Sequence, residues 1–217
     1  MEFSKSVIKI IQERTSHRTY TGQPLEEGMK SKINFLLKDL ECESPFSFYA
    51  GKVRFKLVSV PEFDPNEKKK LGTYGLIKGA QDFIVGTVKK SEYAREHFGY
   101  IMETIILAAT DMGLGTCWLG GFFNRTLFST KIDRNSDEDL PAITPIGYSD
   151  KRSIKEKAIR SFIKANKRLP WDQLFFKENL DNPVIKEEVG KYSTLLEMVR
   201  IAPSASNKQP WRIIKDI

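Results

Sequence analysis

The chain has 217 residues, with 35 Lys plus Arg against 28 Asp plus Glu, a net charge of +7, and two Cys. An apolar share of 40% with 11% aromatics excludes a disordered chain, and no apolar run approaches the ~20 residues that span a bilayer. Lys9 interrupts the stretch from Val7 to Ile11, so no secretory segment is read at the start, and Cys42 and Cys117 build neither a disulfide framework nor a four-thiolate zinc site.

In chain order, Phe3, Val7, Ile10 and Ile11 share one face of a helix predicted over 3–14. Continued one turn, that face reaches Arg14, an unexpected cation at the end of an apolar stripe. A second helix is predicted over 25–40, carrying Ile33, Leu36, Leu37 and Leu40. Residues 52–60 alternate as a half-buried strand does, and 82–88 form a short apolar run typical of a buried strand. Between them, 61–70 is polar with two Pro and reads as a surface excursion. A helix over 95–112 is apolar almost all round, which places it in the core, with Gly113 positioned to end it. Residues 124–139 are polar and receive no assignment. A strand over 142–148, a basic helix over 154–166, an amphipathic helix over 186–201 and a last strand from Trp211 to Ile214 complete the reading. Helices alternating with strands predict an α+β or α/β fold, in a soluble cytoplasmic protein.

The positive charge invites a nucleic-acid reading. Only 150–168 is dense in cations, and no zinc-finger spacing, stacking motif or heptad accompanies it. A solvated basic face is the commoner reading of such a run, a phosphate-bearing small ligand comes next, and nucleic acid third.

Three clusters could carry chemistry. In Arg14-Thr15-Ser16-His17-Arg18, two guanidinium forks flank a hydroxyl, a donor set suited to a phosphate. From local sequence alone, an Arg pair solvating a helix end is the commoner reading. In Gly113-Leu114-Gly115-Thr116-Cys117-Trp118-Leu119-Gly120-Gly121, four Gly in nine residues allow close approach of a flat or anionic group. A helix cap and tight turn explain Gly113, and explain Gly120 and Gly121 less well. It is neither a P-loop nor a dinucleotide fingerprint. In Pro203-Ser204-Ala205-Ser206-Asn207-Lys208-Gln209-Pro210-Trp211, polar side chains crowd between two Pro; ordinary turn chemistry is the alternative. His17 and His97 lack partner spacings, so surface roles are expected, and Cys117 reads as a small buried hydrophobe.

Together these segments resemble the flavin-dependent nitroreductase family. The family's Arg-x-Ser-x-Arg/Lys-x-aromatic motif is matched from Arg14 to Tyr20. Its Pro-Ser-x-x-Asn-x-Gln-Pro-Trp motif is matched from Pro203 to Trp211, and its Gly-Leu-Gly-Thr-x-Trp segment from Gly113 to Trp118. Lys167-Arg168-Leu169-Pro170 looks like the family's late basic motif. The departure is order: 189 residues separate Arg14 from Pro203, where ordinary members place about one helix. The expected place holds Ser44-Pro45-Phe46-Ser47-Phe48-Tyr49, a poor match. The chain is therefore similar to the variant subfamily in which one polypeptide mimics the dimer. This implies a three-layer α-β-α domain over 1–180 and a partial second half over 181–217. A full second half needs further helices and strands, so either the sequence is cut short or another chain supplies them.

The resemblance implies bound FMN, with Arg14, Ser16 and Arg18 at its phosphate and ribityl end and Lys167 and Arg168 adding charge there. Trp118, Leu119, Gly120 and Gly121 would run along the ring. Pro203, Ser204, Ala205, Ser206 and Asn207 would cover its other side. Gln209 and Trp211 would hold the loop, and Thr73-Tyr74-Gly75 is a further ribityl candidate. The implied chemistry is electron transfer from NADH or NADPH to a small-molecule acceptor such as a nitroaromatic or quinone, with no catalytic side chain, metal, membrane or nucleic acid. A flavin-binding protein without turnover, or one acting on flavin itself, is the alternative. The implied assembly is a monomeric pseudo-dimer or a homodimer.

Overall fold

The computed structural model describes residues 2–40, 44–60, 66, 70–73 and 75–215. Most of the excursion expected over 61–70, together with Cys42 and Tyr74, lies outside them. The chain forms two compact units, Met1–Ser153 and Ile154–Ile217. The division at 180/181 follows motif order, which is a different property from packing.

In the first unit, α1 (Val7–Glu13) and α2 (Glu27–Asp39) precede β1 (Val53–Ser59) and β2 (Asp82–Lys89). Then come α3 (Ala94–Asp111), β3 (Gly115–Thr116), α4 (Arg125–Lys131), β4 (Glu138–Asp139) and β5 (Ile143–Gly147). The sheet runs β1-β2-β5-β3, all antiparallel, with β4 beside the end of β2.

The first seven residues of β2 are buried, which is why its sequence is mostly apolar rather than alternating. Val53, Phe55 and Leu57 of β1 and Ile84 and Val88 of β2 pack with α2 and α3 on one face. Val58, Phe83 and Val85 pack with Phe128 of α4 and Ile143 of β5 on the other. This unit is thus a sheet between helices, as the sequence predicts. Gly86 is what lets the rings of Phe55 and Phe98 lie 5.4 Å apart, because a Cβ there would overlap Phe55 and come within 2.7 Å of Phe98.

Three sequence expectations change. The first helix begins at Val7, not Phe3, because Ser4 is held outside it by Asp111, which accepts from the Ser4 N–H and hydroxyl at 2.7 Å each. Of its apolar stripe only Ile10 is buried, while Val7 and Ile8 are exposed. The helix expected over 186–201 is a 3₁₀ segment, Lys186–Tyr192, followed by α6 (Ser193–Ile201). Gly190 breaks it with a left-handed φ of 53°. His97 is buried, not at the surface, because it sits on the inward face of α3. Burial pushes its imidazole pKa below the ordinary value.

The second unit contains α5 (Ile154–Phe162), β6 (Phe175–Lys177), β7 (Asn179–Pro183), α6 and β8 (Ile213–Lys215). Its sheet runs β7-β6-β8, with β6 parallel to β8. Leu174, Phe175, Val184 and Val189 form a small core, with Trp171 and Trp211 against it.

One ion pair braces the first sheet's edge. Glu138 accepts from Arg54 Nε at 2.8 Å and Nη2 at 2.7 Å, and from the Asn135 N–H at 2.9 Å. The Arg54 hydrogen bonds, outweighing burial, hold the Glu138 carboxyl down at about 2. Its stabilisation is therefore complete above the ordinary value of 4.5 and is lost as the pH falls through about 2.

Two outcomes are expected. Glu138→Gln should lower stability at neutral pH by about 2 kcal/mol and flatten the acid limb of the stability profile, as read by urea melts across pH. Gly86→Ala should cost about 1–3 kcal/mol by crowding the Phe55 and Phe98 rings, as read by thermal melting.

Candidate functional site

Arg14 leaves the helical region with φ −57° and ψ 125°. Ser16 bridges to Thr116 in parallel fashion, and the His17 N–H donates to the Thr116 carbonyl at 2.8 Å. Further on, Tyr20 N–H donates to Lys78 O at 2.9 Å and Lys78 N–H to Arg18 O at 2.8 Å. The segment thus acts as an extra edge beside β3. Side chains alternate along extended chain, and the spacing of Arg14, Ser16 and Arg18 is the one that gives a common side. Gly115 permits the approach, since a Cβ there would lie 3.1 Å from both His17 Cβ and Ser149 Cβ.

The second cluster meets the first at this edge. α3 ends in a double cap: Leu114 N–H donates to Ala109 O at 2.8 Å and Gly113 N–H to Thr110 O at 3.0 Å, with Gly113 at φ 77°. The chain then enters β3 and the segment 118–121. Leu119 and Ile143 exchange two backbone hydrogen bonds, at 2.9 and 3.0 Å. Arg125 donates to Gly120 O at 2.6 Å, and also to the carbonyl of Leu140. Gly120 and Gly121 are exposed, and a Cβ on either would meet nothing within 4 Å. The backbone there has an open side that any side chain would fill.

Glu103 of α3 joins the two clusters. Its Oε1 lies 3.6 Å from Arg14 Nε, and its Oε2 accepts from Trp118 Nε1 at 2.6 Å. The Arg14 side chain is only 8% exposed and that of Glu103 28%. Burial raises the Glu103 pKa above its ordinary value; the Arg14 charge and the indole hydrogen bond pull against that. The cation that follows the apolar stripe of α1 is therefore placed to meet a carboxylate. Arg152 reaches the same segment, donating to Thr15 Oγ1 at 3.4 Å. Sequence reasoning passed over Glu103, Arg125 and Arg152. The only available signal for Glu103 was a lone acid on an otherwise apolar stretch of helix.

The remaining candidates lie in the second unit, where Arg168 ties them together. Its Nη1 donates to Asn207 Oδ1 at 3.1 Å and to the carbonyls of Ala165 and Lys167 at 3.0 Å each, and its Nη2 to Ile201 O at 3.1 Å. Asn207 Nδ2 donates to Lys164 O and Lys167 O at 2.8 and 2.9 Å. Gln209, 4% exposed, accepts from Leu169 N–H at 2.8 Å, and its own N–H donates to Ser204 Oγ at 2.9 Å. Ser206, Asn207 and Gln209 have left-handed φ values of 51°, 56° and 48°. Such residues cost of order 1–3 kcal/mol each and persist where surrounding bonds over-determine them. Pro203, Ser204 and Ala205 lead into this turn, and Lys167 is exposed beside it.

Among the described residues no His, Cys, Asp and Glu group could hold a metal ion. No described helix is long and apolar enough to cross a membrane.

Residues 6–216 match the family described as “Putative TM nitroreductase”. Among solved structures, one described as a putative nitroreductase from Thermotoga maritima is 22% identical, with a TM-score of 0.59 over 99% of this chain and 74% of that one. An FMN-dependent nitroreductase from Clostridium difficile is 22% identical, with a TM-score of 0.53 over 67% of this chain and 89% of that one. A putative NADH dehydrogenase/NAD(P)H nitroreductase from Bacteroides thetaiotaomicron is 20% identical, with a TM-score of 0.54 over 69% and 90% respectively. No curated protein matches the chain. The structural likenesses establish the fold.

Arg168→Lys removes the planar fork that reaches four acceptors. It should lower stability by about 2 kcal/mol and raise amide hydrogen exchange within 203–211, as followed by mass spectrometry.

Proposed function

Because the chain belongs to this nitroreductase family, we propose that it is an FMN-dependent oxidoreductase. It would take electrons from NADH or NADPH and pass them to a nitroaromatic, quinone or similar small acceptor. The observation that carries the reading is the meeting of the Arg14-x-Ser16-x-Arg18 segment with Thr116 and, through Glu103, with Trp118, within one unit and about 100 residues apart in sequence, where the chain leads into the open backbone at Gly120 and Gly121.

The residues fit the group. A phosphomonoester carries about −1.5 to −2 charges at neutral pH. Arg14, Ser16 and Arg18 offer two cations and a hydroxyl from one side of an extended chain, and Arg14 is already largely removed from water. That desolvation strengthens a phosphate contact relative to one on an exposed arginine. The open side at Gly120 and Gly121 accepts a flat ring, and Arg125 and Ile143 keep the segment in place. Bound FMN would supply hydride acceptance from the nicotinamide and electron delivery to the acceptor. The protein's part is to bind, orient and hold charge near the cofactor, which needs no acid–base dyad.

In the second unit, residues 203–207 are the second flavin-binding element of this reading, a preformed turn rather than an adaptable one. Lys167 contributes exposed charge beside it, and Arg168 contributes chiefly by fixing Asn207. The division into 1–180 and a partial second half over 181–217 belongs to the same proposal. So do a cytoplasmic location and a pseudo-dimeric or homodimeric state.

Purified protein titrated with FMN should show saturable binding and flavin absorbance bands. NADH or NADPH under anaerobic conditions should then bleach them. Arg14→Ala should weaken FMN binding about 10- to 100-fold. Gly121→Val should weaken it without lowering the melting temperature, since its side chain points into open space. An absence of flavin bands at saturating FMN would sink the reading.

A further inference from the structure

Resting on the FMN reading, we propose that Glu103 is a positioning residue that fixes the phosphate-facing cation Arg14 relative to the ring-side segment at Trp118. Glu103 lies in the middle of α3, between Ile101 and Met102 on one side and Ile105 and Ile106 on the other, all at most 1% exposed. An acid on such a helix is disfavoured by desolvation unless it is paired and hydrogen-bonded. Glu103 divides its two oxygens between two partners, Oε1 facing Arg14 at 3.6 Å and Oε2 taking the Trp118 indole at 2.6 Å.

The side of Arg14 that is used matters. Glu103 approaches Nε, not the two-pronged Nη end. The Nη pair is the end whose spacing matches two phosphate oxygens. A carboxylate on the Nε edge therefore fixes the direction of the fork without occupying it. The indole bond does the same for the ring-side segment, whose next residue, Leu119, is already laddered to Ile143. A single carboxylate thus sets the distance between the two ends of the site before any cofactor arrives. Reduced freedom in the unbound site is retained as affinity on binding.

The test compares FMN with riboflavin, which has the same ring and no phosphate. Glu103→Gln keeps an oxygen for the Trp118 indole and removes the charge that faces Arg14. Dissociation constants for both flavins are measured by fluorescence titration in the wild type, Glu103→Gln, Arg14→Ala and the double variant. Glu103→Gln should weaken FMN about ten-fold and leave riboflavin within about two-fold. In the Arg14→Ala background it should cause no further loss of FMN. A merely structural role would weaken both flavins together and multiply with Arg14→Ala. An unchanged FMN-to-riboflavin ratio, tighter FMN binding, or multiplying effects would overturn the inference while leaving the FMN reading standing. Wild-type protein that binds neither flavin would overturn both. If Glu103→Gln does not fold, Glu103→Asp withdraws the carboxylate by one methylene and is read by the same ratio.

Discussion

The contact between the extended segment 14–20 and β3 organises the first unit. It consists of few bonds, the bridge from Ser16 to Thr116 and the His17 N–H on the Thr116 carbonyl, and the links of Arg18 and Tyr20 to Lys78 hold the rest of the segment. Yet it converts a chain leaving a helix into a sheet edge. That edge brings Arg14 beside Glu103 and gives Ser16 and Arg18 a common side. Gly115 eases it, because a Cβ there would sit tightly against both His17 and Ser149. Without that edge, the Arg motif would be a charged helix end like any other.

Charge is distributed differently between the two kinds of cation. Net charge of +7 describes the whole surface. Within 150–168 the lysines are exposed, whereas Arg152, Arg160 and Arg168 are half-buried and bonded to protein oxygens. Arg125 is similarly engaged with main-chain carbonyls. The arginines act largely as internal fasteners and the lysines as solvated surface. This difference follows from the planar, weakly hydrated guanidinium against the compact, strongly hydrated ammonium.

Local features were legible in the sequence and long-range ones were not. The mostly apolar run of β2, the core character of α3 and the cap at Gly113 each depend on neighbours within a few residues. So does the alternation of Arg14, Ser16 and Arg18 once the chain is extended. Glu103 could not be read, because its partners stand 89 and 15 residues away and an isolated acid on a helix looks like surface. The strand expected from Trp211 overlaps β8, whereas β6 has three residues, too few for a period to show, and its parallel partner lies far along the chain. The left-handed Gly190 divided what a continuous apolar pattern presented as one helix. The helix α4 was hidden in a polar stretch, although Asn124 accepts from the Leu127 N–H as a cap should.

The turn at 204–209 has a consequence of another kind. Its three left-handed residues are held by Arg168, Gln209 and Asn207 in a mesh that closes on itself. Such a turn loses its conformational freedom when the protein folds, not when it meets a ligand. It therefore presents a fixed mould. In the proposed flavin site, a ligand that matches the mould would bind without a further ordering cost, and one that does not match could not recruit it by adaptation. Discrimination there would be by shape, set by the order of a few side chains in a nine-residue stretch of sequence.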